Sequence, residues 1–372
     1  MKESEKTEQM PGEESAPVPE VENTTSVMKC PSCGANMVYS AERGALYCEY
    51  CGSVREFAGE ESEEIDFAHL LSASGGWENE SHVFRCENCG ATEVLDRREI
   101  AKTCPFCGTS NIVATDELPG IRPNAVVPFA VGSEQAGGFA RAWLKKRLFA
   151  PRKFRKSAKP EEMRGVYIPA FTFDANTDSS YSATLGVYRY RSVRRNGRWE
   201  RERYTEYFHV SGQYASSFDD VLIQASSEVR QQVVNKLQPY NTRSSRAYTQ
   251  EYLSGFTAEQ NARAGTECWE DAKNVIANRL RSQILSGYHY DVVSSFNIST
   301  RYSDVTYKYV LLPVYVGHST WRQKLYNFFV NGETGKVTGK APVSPLKVLG
   351  VVLLCAAAVA LLVWLGVMYA GG

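Results

Sequence analysis

Four Cys-x-x-Cys pairs within the first 107 residues restrict what this chain can fold into more than any other feature. Each pair is followed by a glycine, and fourteen residues separate the two pairs of a group. The second group repeats the first 56 residues later, which indicates two tandem copies of one small unit. The eight cysteines are Cys30, Cys33, Cys48, Cys51, Cys86, Cys89, Cys104 and Cys107.

This spacing predicts two metal sites of the four-cysteine zinc-ribbon kind. The two residues inside a pair let both thiolates face one ion, and the glycine after it accepts the positive φ angle of a tight turn. Four thiolates in a tetrahedron suit Zn²⁺ and leave no position open for a substrate, so we expect two structural zinc ions per chain. A rubredoxin-like iron site and thiol–disulfide chemistry are the open alternatives. Zinc is favoured because the sequence shows no flavin site and duplicates all four ligands.

The N-terminal segment indicates that these thiols are reduced. Residues 1–27 contain seven glutamates and two lysines, without the apolar stretch of a signal peptide. A chain that stays in the cytoplasm keeps its cysteines reduced, and this favours metal over disulfides. The same composition predicts that residues 1–27 form a disordered acidic tail.

The fold class predicted from the whole sequence is multidomain, with two small four-cysteine zinc ribbons, an α+β domain with an antiparallel sheet, and one C-terminal transmembrane helix. The predicted segments are an acidic tail over 1–27, a first ribbon over 28–57, an acidic linker over 58–76, a second ribbon over 77–115, the α+β domain over 120–343 and the transmembrane helix over 346–370.

Within the α+β domain, apolar periodicity predicts a helix over 133–149 and a second one from near Thr257 through Ile284. Thr257 and Gln260 are spaced as a capping box. Alternating residues predict strands over 165–223, 292–316 and 325–337. The dipeptide Asn196-Gly197 predicts a two-residue hairpin turn.

The C-terminal segment predicts a membrane span. Residues 348–370 carry no charged side chain and would form a helix of about 34 Å, which is enough to cross a bilayer core. The alternative is a buried core helix. Lys336, Lys340 and Lys347 precede this segment, and positive flanking charge stays inside, so we expect one span with the N-terminus in the cytoplasm.

Basic residues are concentrated between positions 141 and 203, although the formal net charge of the chain is zero. Ten Lys or Arg residues against two Glu lie in 141–164, and arginines alternate with aromatic residues around Asn196. Three interpretations are open: a solvated face with partner contacts, contact with anionic lipid, and binding of nucleic acid.

No catalytic motif is present in the sequence. There is no phosphate-binding P-loop, no paired histidine ligands and no nucleophile elbow. Asp219 and Asp220 are adjacent, so in an extended chain their side chains diverge. The protein is therefore expected not to be an enzyme, and the open alternative is an enzyme whose site in the α+β domain has no recognised motif.

Several short motifs, taken in order, resemble a known family. After the two ribbons come Val127-Pro128-Phe129, Ala142–Arg147, Gly165–Phe171, Tyr252–Phe256, Leu311–Tyr315 and Asn331–Lys336. This series is similar to that of the bacterial TFIIB-type, double zinc-ribbon membrane proteins, which are often labelled automatically as primosomal replication-restart helicases. The helicase label does not follow, because the chain has no nucleotide-binding loop.

The resemblance implies a role in protecting the cell envelope. Members of that family are encoded beside PspA-like, SPFH (flotillin-like) and TPM-domain proteins. It therefore implies a non-enzymatic adaptor, anchored in the bacterial inner membrane through residues 346–370, that recruits such partners to the cytoplasmic face. The alternative is a membrane-tethered nucleic-acid-binding protein without helicase activity.

Overall fold

The computed structural model of the protein describes residues 29–57, 59–72, 81–96, 104–109, 112–115 and 121–370. The tail predicted over 1–27 lies outside the described residues. The described α-helices are α1 (Phe67–Ser72), α2 (Ser133–Lys146), α3 (Arg152–Ser157), α4 (Gln231–Leu237), α5 (Gly265–Ser286) and α6 (Pro345–Ala370). Short 3₁₀ helices cover Pro160–Glu162 and Gln250–Leu253.

The strands form one small sheet and one large sheet. The small sheet contains β1 (Val38–Ser40), β2 (Ala45–Tyr47) and β3 (Val54–Arg55), all antiparallel. The remaining strands belong to the large sheet: β4 (Ile65–Asp66), β5 (Ser81–Cys86), β6 (Thr92–Asp96), β7 (Ile112–Thr115), β8 (Ala125–Val126), β9 (Arg164–Arg195), β10 (Arg198–Gln224), β11 (Arg246–Ala247), β12 (Thr257–Glu259), β13 (Val292–Trp321), β14 (Lys324–Asn331) and β15 (Val337–Gly339).

Three very long antiparallel strands dominate the large sheet. β9 pairs with β10 along almost its whole length and with β13 from its start to Gly186. Asn196 and Gly197 join β9 to β10, and both have positive φ angles (49° and 82°), as a type I′ turn requires. Beyond Gly186 the β9–β10 hairpin continues as a two-stranded ribbon for about 30 Å.

Burial along β9 follows this architecture. From Val166 to Phe173 every residue is buried, then buried and exposed residues alternate, and the ribbon end is largely exposed. α5 covers one face, where Trp269, Ala272 and Ile276 pack in one cluster with Phe171 and Phe173. The sheet is therefore covered on both faces at its base and on one face further along.

Both cysteine units pack against the base of β9. Tyr167 shares a core cluster with Met37 and Tyr39 of the first unit, whereas the neighbouring Val166 and Ile168 share one with Phe106 of the second. Successive side chains of a strand point to opposite faces, so the two units lie on opposite faces of β9.

The second unit is also continuous with the large sheet. Ala258 of β12 pairs with Val94 of β6, while Thr257 pairs in parallel with Val166 of β9. The segment predicted as a linker over 58–76 is described over 59–72 and packs on the same domain. Phe67 contacts Trp269 at 5.5 Å between ring centroids, and β4 pairs with β13.

The predicted start of the second long helix is wrong. Thr257 and Ala258 lie in strand β12, and α5 begins only at Gly265. No side chain caps α5 at its first residue, so the predicted capping box is absent. The helical pattern that begins at Thr257 is overridden by tertiary structure. Residues 257–259 instead form β12, which fills the position between β9 and β6, and Ala258 and Glu259 are fully buried there.

α6 is long and apolar enough to cross a membrane. Its most apolar stretch, within Pro345–Trp364, has a mean hydropathy of 2.7, and none of that stretch is buried. A core helix would be covered by other elements, and the described residues leave the apolar stretch within Pro345–Trp364 uncovered.

Candidate metal centres

Cys30, Cys33, Cys48 and Cys51 come from two tight turns that face each other. The Sγ atoms of Cys30 and Cys51 lie 3.4 Å apart, and those of Cys33 and Cys48 lie 3.5 Å apart. In each turn the glycine N–H donates to the carbonyl of the first cysteine, at 2.8 Å for Gly34 and 2.9 Å for Gly52. Both glycines have φ angles above +70°, a region that a side chain disfavours.

Cys86, Cys89, Cys104 and Cys107 repeat this geometry. The Cys86–Cys107 and Cys89–Cys104 Sγ pairs are each separated by 3.6 Å. Gly90 and Gly108 donate to the carbonyls of Cys86 and Cys104 at 2.8 and 2.9 Å. The two units therefore share their backbone as well as their spacing.

Both groups of thiols are suited to a tetrahedral metal ion. All four Sγ atoms of each group lie within 4.8 Å of one another, and all eight cysteines are free thiols. Four sulfurs at a zinc–sulfur distance of about 2.3 Å would be about 3.8 Å apart, close to the separations observed. Because the protein supplies four ligands to each site, no position is left for a substrate.

One thiol in each group is acidic enough to be a thiolate near neutral pH, the form that binds metal. Burial raises the pKa of Cys30, but the N–H groups of Cys33 and Ser32 outweigh it and lower this pKa to about 6. A hydrogen bond from the Cys89 thiol, aided by backbone N–H groups, lowers the pKa of Cys104 to about 5. As the donor of that bond, Cys89 has a raised pKa.

The structure separates the basic stretch 141–203 into two surfaces. The basic residues of its first half lie on and around α2 and α3. Those of its second half lie on the β9–β10 ribbon, where Arg203 stacks on Tyr188 at 4.3 Å and Arg201 on Tyr190 at 4.2 Å. Arg189 forms an ion pair with Glu206 at 2.9 Å. Much of the ribbon's positive charge is thus satisfied within the ribbon.

A buried charge cluster was not expected from the sequence. Lys308 of β13 is 4% exposed and lies 3.3 Å from Asp220 and 3.5 Å from Glu64. Burial, together with Glu64 and Asp220, raises the pKa of nearby Asp174 to about 7. Asp220 enters the cluster because a bulge in β10 gives it a φ angle of 52°. The signal in the sequence is a lysine that directly precedes the apolar run Tyr309–Val316.

No protein-family model matches the chain. No solved structure matches it either. The chain is similar to a Bacillus subtilis (strain 168) protein described as uncharacterized protein YdjG, with 30% identity over 328 residues that cover 86% of this chain and 91% of the relative. Identity at this level over nearly the full length of both chains means that the protein belongs to the same family as YdjG.

Proposed function

We propose that the protein is a non-enzymatic, membrane-anchored zinc-ribbon adaptor that recruits protein partners to the cytoplasmic face of the bacterial inner membrane. The observation that carries this proposal is the construction of both four-cysteine sites. Each is closed by protein ligands and built into the core of the domain that leads to α6. Such sites stabilise a surface and do not turn over a substrate.

Zinc is the ion that fits these sites best. Four thiolates in a tetrahedron are a preferred zinc environment, and zinc brings no redox chemistry with it. Small cysteine-rich units have little core of their own and gain stability from the ion. We therefore expect two zinc ions per chain, one in each unit.

α6 supplies the anchor in this proposal. Its uncharged run is long enough for one span, and Lys336, Lys340 and Lys347 precede it. Positive residues beside a span remain on the cytoplasmic side. The zinc units, the sheet and the β9–β10 ribbon would then all face the cytoplasm.

Exposed aromatic residues are the candidate partner contacts. Tyr50 lies at the tip of the first cysteine unit and is 84% exposed, and Trp199 on the β9–β10 ribbon is 72% exposed. Aromatic side chains are enriched among the residues that dominate protein interfaces. By family resemblance, the partners are membrane-associated envelope-stress proteins of the PspA-like, SPFH and TPM-domain kinds.

Co-purification and cell fractionation test this proposal together. The full chain should sediment with membranes, contain two zinc ions and retrieve membrane-associated proteins after gentle solubilisation. A fragment of residues 1–342 should keep both ions but leave the membrane fraction. Tyr50→Ala with Trp199→Ala in the full chain should reduce partner retrieval without altering its zinc content or its sedimentation with membranes. Retrieval of no membrane-associated partner by the full chain would eliminate the adaptor function.

A further inference from the structure

A cavity of about 550 Å³ between α2 and α3 has walls dominated by positive side chains. Five of the described lining residues are basic and none of the described ones is acidic, whereas Leu144 and Ala158 supply apolar surface. The basic residues are Arg141, Lys145, Arg152, Arg155 and Lys156. The volume falls within the range of small-molecule sites in proteins.

One residue that lines this cavity carries an unsatisfied donor. The Nε of Arg155 is buried and has no hydrogen-bond partner within the described residues, although buried polar atoms are nearly always satisfied. A planar guanidinium presents its donors in the fork that matches phosphate and carboxylate oxygens. The cavity is therefore suited to an anion.

The cavity is held at the start of α6. In the turn between α2 and α3, the carbonyls of Leu148 and Ala150 accept hydrogen bonds from Lys347 Nζ at 2.9 and 2.6 Å. The carbonyl of Phe149 accepts another from the Ser344 backbone N–H at 2.8 Å. These bonds fix the basic cavity beside the residues at which the apolar helix begins.

Exposed apolar residues surround the same junction. Leu148 is 70% exposed and Leu346 is 80% exposed, one on each side of the hydrogen-bonded contact. Apolar side chains next to cationic ones are typical of protein surfaces that lie at a lipid headgroup layer. The cavity therefore lies near the end of α6 that would meet the headgroup layer if this helix spans a membrane.

We infer that this cavity binds the phosphate headgroup of an anionic phospholipid from the membrane that α6 enters. The inference rests on the membrane anchoring of the proposed function. An anionic headgroup would be attracted by the exposed cations Lys145, Arg152 and Lys156, whereas the quaternary ammonium of phosphatidylcholine would be repelled. The site would thus fix the orientation of the cytoplasmic domain on the bilayer.

Native mass spectrometry of the full chain in neutral detergent tests this inference. With equal amounts of phosphatidylglycerol and phosphatidylcholine added, we expect one retained phosphatidylglycerol and no retained phosphatidylcholine. The variant Lys145→Gln, Arg152→Gln, Lys156→Gln removes three exposed cations and leaves the half-buried Arg155 in place. We expect it to weaken phosphatidylglycerol retention at least about ten-fold, because each basic residue near an anionic headgroup contributes roughly five-fold.

A matched control removes the same charge elsewhere. The variant Arg194→Gln, Arg198→Gln, Arg201→Gln changes three exposed arginines of the β9–β10 ribbon and should retain phosphatidylglycerol like the unaltered chain. Equal losses in both variants, or equal retention of the two lipids, would overturn the inference. Displacement of the lipid by an equimolar amount of inorganic phosphate would show that the cavity prefers free phosphate and would overturn it too.

Flotation with vesicles of phosphatidylcholine alone separates the two proposals. The unaltered chain and both triple variants should float, since α6 inserts without any headgroup preference. If none of them floats, both the membrane anchoring and the lipid site that depends on it are refuted. If all float but phosphatidylglycerol is not preferred, only the lipid site is refuted.

Discussion

Four glycines, one after each cysteine pair, show how single residues shape the four-cysteine sites. All four have positive φ angles between +72° and +85°. Their surroundings differ, however. A Cβ on Gly34 would meet no atom within 4 Å, whereas a Cβ on Gly108 would overlap the imidazole of His318 in β13. The turn at Gly108 is thus packed on the sheet, whereas the equivalent turn of the first unit, at Gly52, is open.

Alanine substitutions at Gly34 and at Gly108 test this difference in packing. Gly34→Ala should lower the free energy of unfolding by about 1 kcal/mol, because only the left-handed backbone is penalised. Gly108→Ala should cost about 1–3 kcal/mol more, because the His318 ring must shift. Denaturant unfolding measures both, and adding His318→Ala should remove much of the extra cost. Equal costs for the two single variants would contradict the observed packing.

A second residue with a clear role in stability is Glu259 of β12. It is fully buried, and its carboxylate accepts hydrogen bonds from the hydroxyls of Ser226 and Ser227 and from the N–H groups of Ser227 and Glu228. Burial nevertheless raises its pKa from 4.5 to about 7. The folded protein therefore retains a proton that the unfolded chain releases at lower pH.

The expected pH dependence follows from that difference. Below pH 4.5 both states are protonated at this carboxyl, and between pH 4.5 and 7 only the folded state is. The Glu259 contribution to stability should therefore fall by about 3 kcal/mol as the pH rises through this window, and stay constant above it. Urea unfolding of the full chain at several pH values measures this change. The Glu259→Gln variant is measured in the same way, and subtracting its curve separates the Glu259 contribution from that of other titrating groups. A difference between the two curves that does not change with pH would contradict the prediction.

At the scale of elements, the two cysteine units are attached to the domain in different ways. The first contacts it through side chains and single hydrogen bonds, such as Ser254 Oγ to the Met37 carbonyl at 2.6 Å. In the second, β6 pairs with β12 of the large sheet. Loss of order in the second unit would therefore expose a sheet edge, whereas loss in the first would expose one side of the core.

Removal of one metal site at a time should reveal this difference. Cys33→Ser with Cys51→Ser, and separately Cys89→Ser with Cys107→Ser, should each reduce bound zinc from two ions to one. The second variant should show the larger fall in Tm, because paired strands lose their support. Elemental analysis and thermal unfolding provide the readouts. Cys355→Ser lies outside both sites and should change neither the bound zinc nor the Tm. A smaller fall in Tm for the Cys89→Ser, Cys107→Ser variant than for the Cys33→Ser, Cys51→Ser variant would refute the prediction.

At the scale of the whole molecule, the charge distribution separates the adaptor from the nucleic-acid alternative. The formal net charge is zero, and arginines of the β9–β10 ribbon are engaged with tyrosines and glutamates. A protein that binds phosphates with free cations shows an affinity that falls steeply with salt. Of the seven arginines of the ribbon, Arg189, Arg191, Arg195, Arg201 and Arg203 are already engaged with tyrosines or glutamates.

We therefore expect the full chain in neutral detergent to bind neither single- nor double-stranded DNA or RNA with strong salt dependence. Fluorescence anisotropy at two salt concentrations measures this. Tight binding that weakens steeply at the higher salt, and that is lost in the variant Arg194→Gln, Arg198→Gln, Arg201→Gln, would instead support the nucleic-acid function. The same variant should leave membrane association intact in either case.

Local patterns in the chain were sufficient for several features of this molecule. The grouping of the cysteines follows from ligand spacing, the turn at Asn196-Gly197 from the positive φ angles that these residues accept, and α6 from an uninterrupted apolar run. Each depends on residues close together in sequence, whose preferences act without help from the rest of the fold.

Contacts between distant residues decided the rest. The segment from Thr257 looks helical in sequence, but the open position between β9 and β6 makes it a strand. Lys308 meets Glu64 across more than two hundred positions, and Lys347 reaches the carbonyl of Ala150 across 197. No periodicity encodes such pairings, because they are set by which elements pack together once the large sheet has formed. The cysteines and the apolar run could therefore be read from the chain, whereas the basic cavity at the start of α6 exists only in the folded protein.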